Sequence, residues 1–389
     1  MGNHNSDTLF FGVTYTNPTA RGDTTMIGKS GAAIGTIPAF SIIILATGLM
    51  NHVMVIPPLL QAAHRDAWLS VLAIIPLYLV WTGILFIIMR RTNQQAFFPW
   101  LQTHCGKWIS GAVRACFIVY LFLICTLTMK DTAMWTHTSY LPRTPQWILS
   151  VTLLMLCCYA AHAGLRSIAI CAGILLPFVI VFGDFVLSAN LPVKNYHLLF
   201  PVMEQGVQPL LQGTVYVGGG LVEIIILLLF QHQLKKKIPL WSLLLLAVFL
   251  VMLVFGPLTG AIAEFGPVEA AKLRYPAYEE WRLVSVGQYI RHLDFLSIYQ
   301  WLSGAFVRIS TALLLLVDLL SGGGSKRRMV WFCGLGLTLI ALVELPISDM
   351  QYLQFMQSVY LPAALTVMTA LLLLLFVLAL IRGHKGEMS

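Results

Sequence analysis

The sequence predicts an all-α polytopic membrane protein: ten transmembrane helices in two inverted halves of five, with the first and sixth helices discontinuous. Three observations carry that expectation. Of 389 residues, 58% are hydrophobic and only 10% charged, where a soluble domain carries about 25% charged residues. The apolar residues fall in runs separated by short polar turns, each run close to the roughly 20 residues that span a bilayer as a helix. Finally, the first run of each half contains a stretch that a straight helix disfavours, at Thr47–Asn51 and at Val217–Gly220. Paired interruptions at corresponding positions point to an inverted-repeat permease.

Taken in order, the expected spans are 37–63, 67–89, 109–129, 147–163, 168–188, 211–230, 240–261, 295–320, 329–345 and 353–381, the last bent at Pro362. They form one permease-like domain over 37–382, with repeat one at 37–188 and repeat two at 211–381. Residues 1–36 are polar and without periodicity, and read as a flexible cytoplasmic tail; 383–389 form a second tail. The longest connection, 262–294, mixes charges with Val, Leu, Tyr and Trp at near-helical spacing, which predicts short amphipathic helices over the outer face.

Charge sets the orientation. Arg90, Arg91, Lys107, Arg166, Lys235–Lys237, Lys326, Arg327, Arg328, Arg382 and Lys385 occupy alternate connections, and the others are mixed or acidic. By the positive-inside rule the basic connections and both termini face the cytoplasm. The net charge of +8 is thereby assigned to membrane topology rather than to nucleic acid. The seven cysteines lie mostly within apolar runs and contain no Cys-x-x-Cys pair, so neither a disulfide framework nor a metal site is expected. His52, His162 and His232 have no ligand spacing, and Ser321–Lys326 lacks the ending of a phosphate loop. No catalytic constellation emerges, so no enzyme and no cofactor is expected.

The chemistry gathers around the sixth run, which carries Gly218, Gly219, Gly220 and, one turn later, Glu223. Each glycine costs a helix about 1 kcal/mol relative to alanine, and a charge at mid-membrane costs roughly 3 kcal/mol on insertion scales. Such a run reads as a place where a helix opens onto a cavity; the competing reading is a glycine face for tight packing with a hydrogen-bonded Glu. An opened helix exposes amides that favour a carboxylate and carbonyls that favour an ammonium, the two ends of an amino acid. Thr47, Gly48 and Asn51 would supply the matching break in the first helix, and Tyr120 and Trp301 would wall the pocket. Arg308, mid-span in the eighth run, needs a partner at that depth; Glu223 or opened carbonyls of the first span are the candidates, and the guanidinium would stand as a fixed charge at a cation position.

Several blocks resemble a known family. His52-Val53-Met54-Val55-Ile56-Pro57, Ala62-Ala63-His64-Arg65-Asp66-Ala67-Trp68-Leu69-Ser70, Leu141-Pro142-Arg143-Thr144-Pro145-Gln146-Trp147, Tyr275-Pro276 with Arg282, and Tyr289-Ile290-Arg291-His292-Leu293-Asp294 leading to Trp301 are similar to the spore germination permeases. These are the B subunits of GerA-type germinant receptors. The resemblance spans about 37–380 and implies the amino acid–polyamine–organocation superfamily, with a LeuT-like fold. It also implies a nutrient-sensing subunit in the spore inner membrane, partnered by an A-type membrane subunit and a C-type lipoprotein subunit. The expected ligand is a small nutrient, an amino acid first. The alternative is a proton- or sodium-coupled amino-acid transporter using the same pocket, and a third reading, a scaffold with a degenerate pocket, rests on the bulky Leu49-Met50 in the first break.

Overall fold

A computed structural model describes residues 33–204, 206–285, 287, 292–322 and 325–382. Of the tail assigned to 1–36, residues 1–32 lie outside the described residues, as do the tail 383–389 and the block Tyr289-Ile290-Arg291. The chain opens with α1 (Thr36–Leu49), passes through a π-wound turn (Met50–Val55) into α2 (Ile56–Ala63), and continues as α3 (Ala67–Arg91). A short α4 (Phe97–Cys105) precedes α5 (Lys107–Ser139), α6 (Gln146–Ala163) and α7 (Leu165–Ala189). Then come α8 (Val207–Leu221), a 3-10 turn (Val222–Ile226) and α9 (Leu227–Phe230). The remainder is α10 (Leu240–Phe265), the short α11 (Pro267–Ala270) and α12 (Pro276–Leu283), α13 (Leu296–Ser321), α14 (Ser325–Val343), α15 (Asp349–Phe355), a π turn (Met356–Tyr360) and α16 (Leu361–Arg382).

Among the described residues, eight helical stretches are long and apolar enough to cross a membrane. The first, Thr36–Arg91, is 56 residues long, about twice what one crossing needs. It reverses at His64, whose φ of 44° breaks the helix. The contacts show the reversal: Val55 and then Leu59 meet Gly220 and then Gly213, so α2 runs antiparallel to α8. Ser70 and then Tyr78 reach Leu210 and then Leu221, so α3 runs parallel to it. The 19-residue α14 begins with Lys326, Arg327 and Arg328 and is not among the eight.

The stretch Val207–Gln233 is the centre of the molecule, with 94% of its most apolar window buried against 11% for Leu165–Val193. It packs on α2, α3 and α16, while α13 packs on α1, α5, α6 and α7. By contrast α7 leaves Ile170, Ile174, Phe178 and Val181 exposed; that three-to-four-residue spacing marks a lipid-facing stripe.

The helix ends sort into two faces. On one, Ile34 pairs its backbone with Gln233 and Lys235, Gln231 bonds to Thr92 and Gln95, and Lys237 contacts Asn93. On the other, Arg65 meets Glu204, Asp66 accepts from the Met203 amide, and Arg274 meets Asp131 and Asp349. Arg90, Arg91 and Lys235–Lys237 thus gather on the first face. The connection 262–294 forms the helices α11 and α12, as its spacing predicts. The third span runs to Ser139, ten residues beyond its expected end, which buries Asp131.

The glycines of the sixth span do not open the helix. α8 continues regularly through Val217–Gly220, and the winding changes only at Val222–Ile226. Close approach is the reason: a Cβ at Gly219 would strike the Leu361 carbonyl, and one at Gly220 the Asn51 amide. Gly219→Ala should therefore lose about 1–3 kcal/mol from overpacking, whereas Gly83→Ala, inside α3 and meeting no atom within 4 Å, should gain up to about 1 kcal/mol from helix propensity. Thermal unfolding of the detergent-solubilised protein checks both, and equal stability of the two variants would contradict this packing.

Candidate functional site

The irregular turns of the first and sixth spans meet at the middle of the protein, and a buried ion pair holds them. Arg308 on α13 is 1% exposed, as is Glu223. The guanidinium Nε donates to Glu223 Oε1 at 3.0 Å and Nη2 donates to Oε2 at 2.7 Å, a two-pronged pair. Nη1 donates to Thr128 Oγ1 on α5 at 2.6 Å and approaches Met54 Sδ in the π turn at 3.2 Å. One guanidinium therefore joins four parts of the bundle. Removing one partner of such a pair costs about 3–5 kcal/mol, because the other is left as an uncompensated charge.

Local chemistry explains why the turn after α8 is tolerated. The change from α to 3-10 winding alters the hydrogen-bond ladder at Leu221, and the Tyr78 hydroxyl donates to the Leu221 carbonyl at 3.1 Å. Tyr120 on α5 is fully embedded near the pair, within electrostatic reach of Glu223 and Arg308. Of the two partners considered for Arg308, the structure selects Glu223. Both Glu223 oxygens accept from Arg308, so the carboxylate is committed to the guanidinium in this conformation.

The first helix presents a different kind of group. Thr47 and Asn51 are fully buried, and neither the Thr47 hydroxyl nor either Asn51 amide atom bonds to the protein. Leaving a buried polar atom unpaired costs about 1–3 kcal/mol, so three such atoms within little more than one turn are a concentrated expense. Asn51 touches Gly220 directly, bringing the two predicted breaks together. Val217 is buried in the same helix, while Gly218 faces Leu365.

Two predicted site residues point elsewhere. Gly48 faces Leu253 on α10 rather than α8. Trp301 stacks on Trp135 at 4.0 Å between ring centres and donates to Thr132 Oγ1 at 3.3 Å, two turns along α13 from Arg308. It belongs to an aromatic layer with Tyr140, Tyr275 and Tyr278, beneath α12. Arg274, just before α12, donates to Asp131 at 2.5 Å and lies over the rings of Tyr275 and Tyr352, fastening the connection between α10 and α13 onto α5 and α15. Sequence reasoning missed this clasp. Its signal was the adjacent Lys130-Asp131 at the end of an apolar run. Lys130 is also held, donating to the carbonyls of Val343 and Leu345 at 2.8 Å each. Among the described residues no three His, Cys, Asp or Glu side chains form a metal-binding group.

Known proteins place this arrangement. A family model described as "Spore germination protein" matches residues 34–321. Spore germination protein XB of Bacillus anthracis is 40% identical over 338 residues, 86% of this chain and 95% of that protein. The putative spore germination protein YfkT of Bacillus subtilis (strain 168) is 26% identical over 72% of this chain and 77% of its own length. A shorter match, 26% identical over 38% of this chain and 41% of the relative, is spore germination protein GerQB of Bacillus cereus. The multi-pass helical fold, the matched span and the likeness to XB together make the chain a member of the spore germination permease family.

Proposed function

We propose that this chain is a nutrient-sensing subunit of a spore germination receptor, built as ten crossings in two inverted halves. The first half comprises α1–α2, α3, α5, α6 and α7, and the second α8–α9, α10, α13, α14 and α15–α16. The first span of each half then carries the irregular turn, as a LeuT-like repeat requires. The ligand, a small nutrient of the amino-acid type, lies between the first and sixth spans. There it takes up the polar groups of Thr47 and Asn51 and widens the contact between Asn51 and Gly220. The A-type and C-type subunits of the receptor, in the spore inner membrane, read the resulting change of shape. The observation that carries this reading is the trio of unpaired polar atoms on Thr47 and Asn51, buried where the two irregular spans touch.

Sensing follows if nutrient binds one arrangement of these spans more tightly than another, since a ligand shifts an equilibrium only by its differential affinity. Arg308 favours a receptor over a sodium-coupled transporter. It places a fixed positive charge, already neutralised by Glu223, in the core between α13 and the first span. Accumulation of labelled amino acid by proteoliposomes containing only this chain should stay at the level of empty liposomes; uptake against a gradient would establish the transporter instead.

Asn51→Ala removes no protein hydrogen bond, so it should leave the amount of folded protein unchanged while raising the nutrient concentration for half-maximal germination at least tenfold. A wild-type dose response would remove Asn51 from the site. Glu223→Gln or Arg308→Met alone should cost about 3–5 kcal/mol and deplete the protein from membranes. The double variant Glu223→Met with Arg308→Met should restore the protein level, because replacing both charges is often neutral, yet leave spores unresponsive. A responsive double variant would make the pair purely structural.

A further inference from the structure

A cavity of about 290 Å³ lies in the outer half of the bundle, between α1, α7, α10, α12 and α13. No described residue of α8 or α16 lines it, so it is distinct from the contact of Asn51 with Gly220. Its walls are largely apolar, with Tyr278, Trp281 and Trp301 contributing aromatic surface. Among the described residues, two acidic ones line it, Asp184 and Glu280, and no Lys or Arg does. Ile180 on α7 and Met252 on α10, both exposed at the bundle surface, are among its lining residues. Asp184, itself exposed, lies on the same helix as Ile180.

Glu280 is the telling residue. Its side chain is 1% exposed, and neither carboxylate oxygen makes a hydrogen bond. The neighbouring helix makes room for it: a Cβ at Gly260 would come within 2.7 Å of Glu280 Oε2. Glu264, one turn beyond Gly260, pairs with Lys194 at 3.4 Å, so that cation is already engaged. Burial first, then the Glu264 carboxylate, push the Glu280 carboxyl well above the usual carboxylate range, with Lys194 opposing them. A buried acid is normally paired or hydrogen-bonded; this one is brought to an apolar cavity without a cation of its own.

We propose that this cavity is a second ligand site, for an organic cation: a protonated amine whose ammonium meets the Glu280 carboxylate while its apolar body fills the aromatic-walled space. Apolar walls with a few polar groups are the usual form of a small-molecule site, and aromatic faces add attraction for an ammonium. As the ammonium arrives, the proton on Glu280 leaves to water and the ligand's charge takes its place. Entry is lateral, between Ile180 and Met252, with Asp184 supplying negative charge near the mouth. A ligand here would touch α1 at Gly48 and His52 on one side and α12 at Trp281 on the other. It would therefore act on the first span from the side away from α8.

The test uses the full-length chain in lipid nanodiscs with radiolabelled phenethylammonium as probe and phenethyl alcohol, its neutral isostere, as competitor. Phenethylammonium should bind saturably, and the alcohol should compete at least tenfold more weakly. Glu280→Gln should weaken binding at least tenfold. Ile180→Trp, which fills the mouth from the lipid-facing side and leaves the core intact, should do the same, so the test survives if Glu280→Gln does not fold. Absence of saturable binding, equal competition by the alcohol, or wild-type affinity in Ile180→Trp would each overturn the proposal. The readout needs no spore, nutrient or partner subunit, so its failure is distinguishable from failure of the sensing proposal.

Discussion

The bundle is organised around one charge that has nowhere else to go. A guanidinium does not give up its proton in a protein, and the idealised cost of moving such an ion into a medium of low dielectric is of order 20 kcal/mol. Arg308 must therefore be met where it stands, and the protein meets it with Glu223, Thr128 and Met54 from three other parts of the chain. Each contact fixes a register. α13 cannot slide along α5 without losing Thr128, and the turn after α8 cannot unwind freely without moving the carboxylate. The irregular turns of the first and sixth spans are thus held at a common point, while the groups beside that point, Thr47 and Asn51, are left with unspent hydrogen-bonding capacity.

Much of this was legible in the sequence because membrane burial leaves few options. Apolar runs gave most spans, alternate basic connections gave the two faces, and two charges at depth implied a partnership that the structure makes. What was not legible depends on neighbours distant in sequence. The three glycines read as a weak point, yet Gly219 serves the close approach of α16 and Gly220 that of the first span. The winding instead changes where Tyr78, from α3, takes the Leu221 carbonyl. Gly48 and Trp301 were grouped with the sixth span on spacing alone, but the rotation of α1 and the depth along α13 turn them toward the lateral cavity. Asp131 was assigned to a connection because charge ordinarily ends an apolar run, and only its pairing with Arg274, 143 residues on, allows the helix to continue past it.

The short helices α11 and α12 belong to the same logic of engaged and unengaged charge. Arg274 is engaged by Asp131 at 2.5 Å and two aromatic rings, and Lys194 by Glu264. Trp281 donates to Gln300 at 2.7 Å, and Asn190 donates to the Glu280 carbonyl at 2.8 Å, so α12 is pinned at several places to α7 and α13. Against that background the unpaired Glu280 carboxylate stands out as a group whose partner comes from outside the fold.

The short backbone pairing at the opposite face carries a mechanical consequence. Ile34, immediately ahead of α1, donates to the Gln233 carbonyl at 2.8 Å and accepts from the Lys235 amide at 2.9 Å, just beyond the end of the sixth span. The two irregular spans are therefore yoked at that face as well as clamped at mid-depth. A door hung on two pins along one edge swings as a unit, and neither span can tilt at its basic end without carrying the other or breaking both backbone bonds. The far end is tied through side chains instead: Arg65, just past α2, meets Glu204, and Asp66 accepts from the Met203 amide, just ahead of the sixth span.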